Sequence, residues 1–259
     1  MTLLPAALLL DARPRPTGEW IPALSPHLST LVGTAILGAL YFWGITAARR
    51  RWNLGPPATP AQVASFTAAL AVLLVSLNGP IHDLSDYYLF LIHMLQHLLL
   101  TMLFPPLLFL GTPGWLLRPL VRPDWVRKAG RTIAHPVAAG LLFSICVAAW
   151  HTVPLYDLMM RSHDIHIMTH LMFIVVSVIM WWPVLSPIDE VPPLPLGARM
   201  LYLFLVSLPM QAVAAIITMA DLPLYEWYVT APRTWGLWPV EDQKLGGLLM
   251  WVPGNLWMF

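Results

Sequence analysis

Histidine is the residue type whose number and spacing in this chain can support chemistry. The 259 residues include nine histidines, and two pairs of them are four positions apart, His93 with His97 and His166 with His170. On an α-helix, residues four apart lie on one face a single turn apart, so each pair can bind one ion. Imidazole nitrogens are ligands for copper, zinc and iron. The spacing therefore indicates a metal site that is shared by two helices.

Other side chains near the two pairs can contribute to such a site. His151 ends another apolar segment on the same side, and from its position alone it is either a ligand or a packing residue. The remaining candidates offer a thioether, a further imidazole, or a carboxylate that accepts the second N–H of a ligating histidine. They are Asp157, Asp242, Met94 and His163.

Two other roles for the histidines stay open. A buried histidine can hydrogen-bond across a helix interface, which contributes about 0.6 kcal/mol on average. We favour this role for His27, His82 and His135, which lie at or near the ends of the apolar segments. Alternatively, one histidine of each pair can hold a haem between two helices, but the second member of each pair then has no role.

The residue types argue against several classes of function. Neither histidine pair reads HExxH, because no glutamate lies between the two histidines of either pair, so the general base of a zinc protease is missing. Cys146 is the single cysteine, which excludes an internal disulfide and a cysteine-only metal site. The 14 basic and 13 acidic residues give a net charge of +1, so we expect no nucleic-acid partner. We expect a protein that is not an enzyme.

Apolar segments of membrane-spanning length must position these histidines. The chain is 58% hydrophobic and 10% charged, against about 45–50% and about 25% in soluble domains, and its mean hydropathy is +0.68. The sequence predicts an all-α integral membrane protein, a single bundle of seven transmembrane helices over residues 1–259. The predicted helices cover approximately 28–47, 61–77, 87–110, 136–153, 165–182, 200–220 and 245–259. The last is shorter than the about 20 residues of a span, so continuation past Phe259 stays open.

The distribution of basic residues predicts the orientation of the bundle. Nine of the 14 basic residues fall on connections at one side and five at the other. The nine are Arg49, Arg50, Arg51, Arg118, Arg122, Arg127, Lys128, Arg131 and Arg199. The positive-inside rule then places those connections and the C-terminus in the cytoplasm, and the N-terminus outside.

This orientation places the histidine pairs in the outer half of the membrane. At 1.5 Å per residue, His93 and His97 lie roughly 9 and 15 Å below Tyr87, and His170 lies about 8 Å below Ile165. An ionisable side chain at such depth costs at least a few kcal/mol unless it has a partner. Several of them at one level therefore indicate a functional site.

Four segments combine these histidines with tryptophan, proline and glycine in a distinctive way. They are HMLQHLLLTMLFPPLLFLGTP at 93–113, WHTVPLYD at 150–157, HIMTH at 166–170 followed by WWPVLSP, and DQKLGGLLMWVPG at 242–254. Together they resemble the seven-helix CtaG-type (caa3-type) family of bacterial cytochrome c oxidase assembly factors, from about Trp20 to the end of the chain.

The resemblance implies a multi-pass protein of the bacterial plasma membrane that is needed to mature haem-copper oxidase through copper handling. The expected function is to bind copper on the outer side of the third, fourth and fifth helices and to hand it to an oxidase subunit. Copper is the expected cofactor, with haem less favoured. The positions that match the family and are the expected ligands are His93, His97, His151, His166 and His170.

The expected partners are cytochrome c oxidase subunits or another respiratory complex, membrane lipid and, for a homo-oligomer, a second copy of the chain. Two alternatives stay open. In the first, the chain is a permanent accessory subunit of a respiratory complex with a structural metal site. In the second, it is a histidine-ligated haem protein.

Overall fold

A computed structural model of the protein describes residues 27–233 and 235–256, and within these ranges the regular structure is helical without a β-strand. The prediction of an all-α chain is therefore confirmed there. The ten main helices are α1 (Leu28–Trp52), α2 (Pro60–Leu77), α3 (Gly79–Tyr87), α4 (Phe90–Gly111), α5 (Asp124–Ile133), α6 (Pro136–Trp150), α7 (Val153–Arg161), α8 (His163–Leu185), α9 (Leu196–Met219) and α10 (Pro239–Leu256). Single helical turns occupy Gly114–Leu117, Arg118–Val121 and Glu226–Val229.

Five helices of the described part, α1, α2, α4, α8 and α9, are long and apolar enough to cross a membrane. The pair α5 and α6, bent by 61°, gives a sixth candidate if it forms one span. Outward faces of these helices are apolar: Val75, Ile216 and Met219 are 56%, 68% and 68% exposed. Such surfaces need hydrocarbon around them. The chain therefore has the features of a membrane protein, while seven spans remain a prediction.

The structure corrects the predicted helix boundaries near the histidines. The third helix was predicted over 87–110, but α4 begins at Phe90, because Leu89 has an extended backbone (φ −132°, ψ 122°). The helices α3, α5 and α7 occupy segments that were predicted to be connections. Hydropathy misses them because they are short and partly polar. Proline in the first turn of α3 and α7 favours helix initiation at those points.

Five helices close a ring around the histidines. In this ring α4 packs against α10, α10 against α9, α9 against α6, α6 against α8, and α8 against α4. Outside the ring, α2 packs against α4 and α1 packs against α2. The interior of the ring is filled by fully buried aromatic residues and methionines, among them Phe143, Phe173 and Met180. The ring brings the outer ends of α4, α6 and α8 together.

The middle of α4 is irregular and is anchored to α8. A π-helical turn occupies Leu99–Leu103, immediately before Pro105 and Pro106. Proline lacks a backbone N–H, so Pro105 cannot donate to the carbonyl four residues earlier. The indole N–H of Trp181 on α8 donates to that carbonyl, Thr101 O, at 2.9 Å. The bond ties together the two helices that carry the histidine pairs.

The start of α4 is held by α10. A Cβ on Gly246 would collide with the ring of Phe90, so glycine permits the close approach of the two helices. The carboxylate of Asp242 accepts hydrogen bonds from the backbone N–H of Phe90 at 2.7 Å and of Leu91 at 2.9 Å. These N–H groups have no partner inside α4, so Asp242 caps the helix from a distant segment.

Candidate metal centre

The structure brings the five predicted ligands into one group, called here the histidine cluster. Its members are His93, His97, His151, His166 and His170, and each is at most 9% exposed. The two rings of each pair lie 4.3 and 4.4 Å apart between centroids. Between helices, the centroid distances are 5.6 Å for His93 and His166, and 5.7 Å for His97 and His170. The pairs on α4 and α8 therefore face each other.

Three members of the histidine cluster are close enough to share an ion. His93, His97 and His170 offer ligand nitrogens that all lie within 4.8 Å of one another. An ion bound at about 2.0–2.1 Å holds tetrahedral ligands roughly 3.3 Å apart. Modest rotations of the three side chains would close that difference. His151 lies beside them, with its ring centroid 6.0 Å from that of His97.

Several buried nitrogens in the histidine cluster lack a hydrogen-bond partner among the described residues. They are His93 Nε2, His97 Nδ1 and Nε2, and His151 Nε2. A buried polar atom left without a partner costs about 1–3 kcal/mol. A bound metal ion would use the lone pair of one nitrogen of each ring, so the arrangement fits metal binding better than a role in packing.

Hydrogen bonds fix which nitrogen of two histidines faces the centre. Tyr228 donates its hydroxyl proton to Ser85 O at 2.5 Å, so it accepts from His93 Nδ1 at 3.1 Å. Similarly, His151 Nδ1 donates to Val147 O at 2.7 Å. In both rings the Nε2 lone pair is left for a ligand, as in most metal-binding histidines. Sequence analysis missed Tyr228, whose only signal was the abundance of aromatic residues in residues 221–238.

A buried carboxylate joins the cluster from α3. Asp86 is 1% exposed, with Oδ1 3.6 Å from His166 Nε2 and Oδ2 3.4 Å from His82 Nε2. Asp86, His93 and His166 form a second group whose ligand atoms lie within 4.8 Å of one another. His82, for which a hydrogen bond across a helix interface was predicted, is 7% exposed, because α3 folds over the cluster.

Gln96, between the two histidines of α4, holds α3 in place. Its amide nitrogen donates to Ser76 O at 2.7 Å and to His82 Nδ1 at 3.1 Å. Its amide oxygen accepts from Ser85 Oγ at 3.0 Å. Gln96 thus has a structural role, which a glutamate could not fill because a carboxylate donates no hydrogen bond.

A small void lies on the inner side of the cluster. Its volume is about 20 Å³, and its walls include His97 and His151. Three methionine side chains, Met94, Met210 and Met250, line the same void. About 10–15 Å³ is enough for one water-sized particle. The predicted supporting residue Met94 thus lies beside two of the ligands, together with two methionines from α9 and α10.

A larger cavity lies on the outer side. It has a volume of about 190 Å³ and reaches the surface, and His166 and His170 form part of its wall. His27, His82 and His163 line it as well. Burial lowers the pKa of His27, and the neighbouring His82 lowers it further. His163 therefore belongs to the approach to the cluster.

The two predicted supporting carboxylates lie at the edge of the site. Asp242 caps α4, as described above, and both of its oxygens accept backbone N–H groups there. Asp157 lies near Tyr225: burial raises the pKa of that tyrosine, and the charge of Asp157 adds to the effect. Tyr225 donates to His151 O at 2.9 Å. His135, in contrast, is exposed at the start of α6, at the opposite end of that helix from His151.

A family model described as cytochrome c oxidase caa3 assembly factor (Caa3_CtaG) matches residues 39–259. Uncharacterized proteins of Mycobacterium bovis and Mycobacterium tuberculosis are each 29% identical over 245 residues, which cover 87% of this chain and 36% of the relative. One of Mycobacterium leprae is 30% identical over 252 residues, covering 89% and 37%. The chain thus spans little more than a third of the length of these curated relatives. No solved structure matches the chain.

Proposed function

The chain belongs to the Caa3_CtaG family of cytochrome c oxidase caa3 assembly factors, whose model matches residues 39–259, and we propose that it binds copper and delivers it to that oxidase. The ion is the cargo of the protein and is held between α4, α6 and α8. It leaves for a copper-accepting subunit of the oxidase. This role requires ligands that can release the ion to ligands of the oxidase subunit, and it requires no covalent chemistry.

One observation carries the proposal. Buried imidazole nitrogens from α4 and the end of α6, His93 Nε2, His97 Nδ1 and Nε2, and His151 Nε2, have no partner among the described residues. The ligand atoms of His93 and His97 also lie within 4.8 Å of one another and of that of His170 on α8. Histidines that only join helices would have their nitrogens satisfied by neighbouring groups. A set of converging lone pairs supports metal binding instead.

The donor types favour copper. Neutral imidazoles suit copper and zinc, whereas magnesium and calcium prefer oxygen ligands. Thioethers favour Cu(I), and three methionines line the void next to His97 and His151. A haem is disfavoured, because the 190 Å³ cavity and the 20 Å³ void are both smaller than the about 300–1,000 Å³ of typical cofactor sites.

The arrangement in the membrane is part of the proposal. We place α10 and the bent pair α5 and α6 with the five candidate spans, which gives seven crossings of a bacterial plasma membrane. The nine basic residues counted above lie at the end of the helices that is remote from the histidine cluster, either in the terminal turns of the helices, in α5 or in the segment before it. The positive-inside rule supports a cytoplasmic location for that end, so the outer cavity opens away from the cytoplasm.

The test is to remove single ligands. His97→Ala and His170→Ala protein, purified in detergent, exposed to copper and desalted, should each retain little copper, while wild-type protein retains a stoichiometric amount. A lost ligand should weaken binding more than the 10–100-fold typical of a lost supporting contact. His135→Ala is the matched control and should retain copper like the wild type.

The same variants test the link to the oxidase. Cells with His97→Ala or His170→Ala should accumulate oxidase polypeptide that lacks copper, and added copper should restore part of the activity by mass action. Wild-type copper retention in both variants, together with full oxidase activity, would refute the proposal and favour a permanent accessory subunit.

A further inference from the structure

Two groups of possible ligands share one residue. His93 belongs both to the group with His97 and His170 and to the group with Asp86 and His166. Its Nδ1 is engaged by Tyr228 at 3.1 Å, which leaves Nε2 as its one available lone pair. A single lone pair binds one ion at a time. The two groups are therefore alternative positions for one ion.

We propose that the ion occupies these positions in succession: a loading position formed by Asp86, His93 and His166, and a holding position formed by His93, His97 and His170. The inference rests on the proposed function and defines the path of the cargo. In the transfer, the bonds to Asp86 and His166 break and the bonds to His97 and His170 form. His93 stays bound throughout, and no electron is transferred.

The contact between the two groups supports a short transfer. His166 Nε2 and His170 Nε2 are 3.2 Å apart on consecutive turns of α8. An ion that exchanges one for the other moves only by about one bond length and keeps at least one protein ligand. His97 lies one helical turn deeper in α4 than His93, so the holding position is the deeper of the two.

The cavities on both sides agree with this direction. The 190 Å³ cavity reaches the surface and is lined by His166 of the loading position, by His170 of the holding position, and by His27, His82 and His163. The methionine-lined void borders His97 of the holding position. The donors therefore change along the path from a carboxylate to imidazoles and then to thioethers. Carboxylate and imidazole ligands both suit Cu(II), so this ion can pass from the loading to the holding position without a change of oxidation state.

His82 positions the carboxylate of the loading position. The amide nitrogen of Gln96 can only donate, so His82 Nδ1 accepts from it at 3.1 Å and the His82 proton is on Nε2. That N–H faces Asp86 Oδ2 at 3.4 Å. Asp86 Oδ1 is thereby directed toward His166, at 3.6 Å. His82 is a positioning residue for the loading position.

The first test measures the rate of loading. Apo-protein is mixed rapidly with one equivalent of Cu(II), and uptake is followed by electron paramagnetic resonance of frozen samples. Asp86→Asn should load at least about tenfold more slowly than wild type but retain the same final amount after desalting. Asp83→Asn removes the same charge from α3 outside both groups and should load at the wild-type rate.

The second test traps the ion in the loading position. His97→Ala protein in excess Cu(II) should give a weakly bound copper signal, and adding Asp86→Asn to this variant should change or abolish that signal. A wild-type loading rate for Asp86→Asn, no signal in His97→Ala, or a signal that is the same in both proteins overturns the loading position. Copper retained by wild-type protein in those cases leaves the proposed function standing, whereas its absence refutes both.

Discussion

The polar groups at the two ends of the helices differ in their solvent exposure and in their partners. At the basic end, Arg118 lies 2.6 Å from Asp189 and 3.5 Å from Glu190, with its side chain 49% exposed and that of Asp189 92% exposed. At the histidine end, Asp86 and the histidine cluster are buried, with exposures from 0% to 9%. Charged groups at the basic end are therefore solvated, while polar groups at the histidine end depend on specific partners within the protein.

The partners at the histidine end come largely from residues 221–238. The indole N–H of Trp227 donates to Asp86 O at 2.7 Å, and Tyr228 and Tyr225 donate to Ser85 O and His151 O at 2.5 and 2.9 Å. These bonds fix the backbone of α3 and the end of α6 around the site. In the proposed function, the basic end sets the orientation of the bundle and the histidine end is preorganised for the copper ion.

The largest difference between the ends should be in their accessibility from outside the cell. In a Cys146→Ser background, Leu222→Cys should react with a membrane-impermeant thiol reagent in intact cells, since Leu222 is 76% exposed at the histidine end. Ala129→Cys, exposed at the basic end, should react only after permeabilisation. The reverse pattern would place the histidine end in the cytoplasm and contradict the proposed orientation.

The second largest effect should be on copper affinity, and it tests whether hydrogen bonds at the histidine end preorganise the ligands. Tyr228→Phe removes the group that fixes the ring of His93, and it should weaken copper binding by about 10–100-fold in a competition titration with a chelator. Tyr225→Phe is the control, because its hydroxyl bonds the backbone of His151 and not the ring. It should lower stability by about 1 kcal/mol and weaken copper binding less than Tyr228→Phe does. Equal affinity of both variants and wild type would remove Tyr228 from the site.

The smallest effect is expected at the basic end. Arg118→Gln breaks the two exposed ion pairs, and exposed pairs contribute about 0–1 kcal/mol. The thermal midpoint in detergent should therefore change little, and copper retention should equal that of the wild type. Loss of copper from this variant would show that the two ends are coupled and that the comparison is wrong.

The sequence predicted the site correctly where possible metal ligands recur with the spacing of one helical turn. The histidine pairs of α4 and α8 could be predicted to face one site because each repeats every four residues within an apolar segment. His151 could be placed on the same side because it ends α6.

Sequence patterns did not predict the contributions to the site of short helices or of segments distant along the chain. Asp86 and His82 lie on α3, which is too short and polar for a hydropathy signal. Tyr228 comes from an aromatic connection, and spacing along the chain does not show which side chain it contacts. The break at Leu89 was missed because the apolar composition is continuous across it. Asp242 was expected to support a ligand, but its two observed hydrogen bonds cap α4. Because Asp242 is distant from α4 in the sequence, no local sequence pattern indicates this contact.

The cap on α4 has a consequence for the order of events during biosynthesis. Asp242 follows its hydrogen-bond partner Phe90 by 152 positions, which at about 5–20 residues per second corresponds to roughly 8–30 s of translation. Tyr228, which orients His93, is also made 135 positions after that histidine. The histidines of α4 therefore enter the membrane long before the residues that arrange them. If the chain binds copper as proposed, we expect tight binding only after α10 has been inserted.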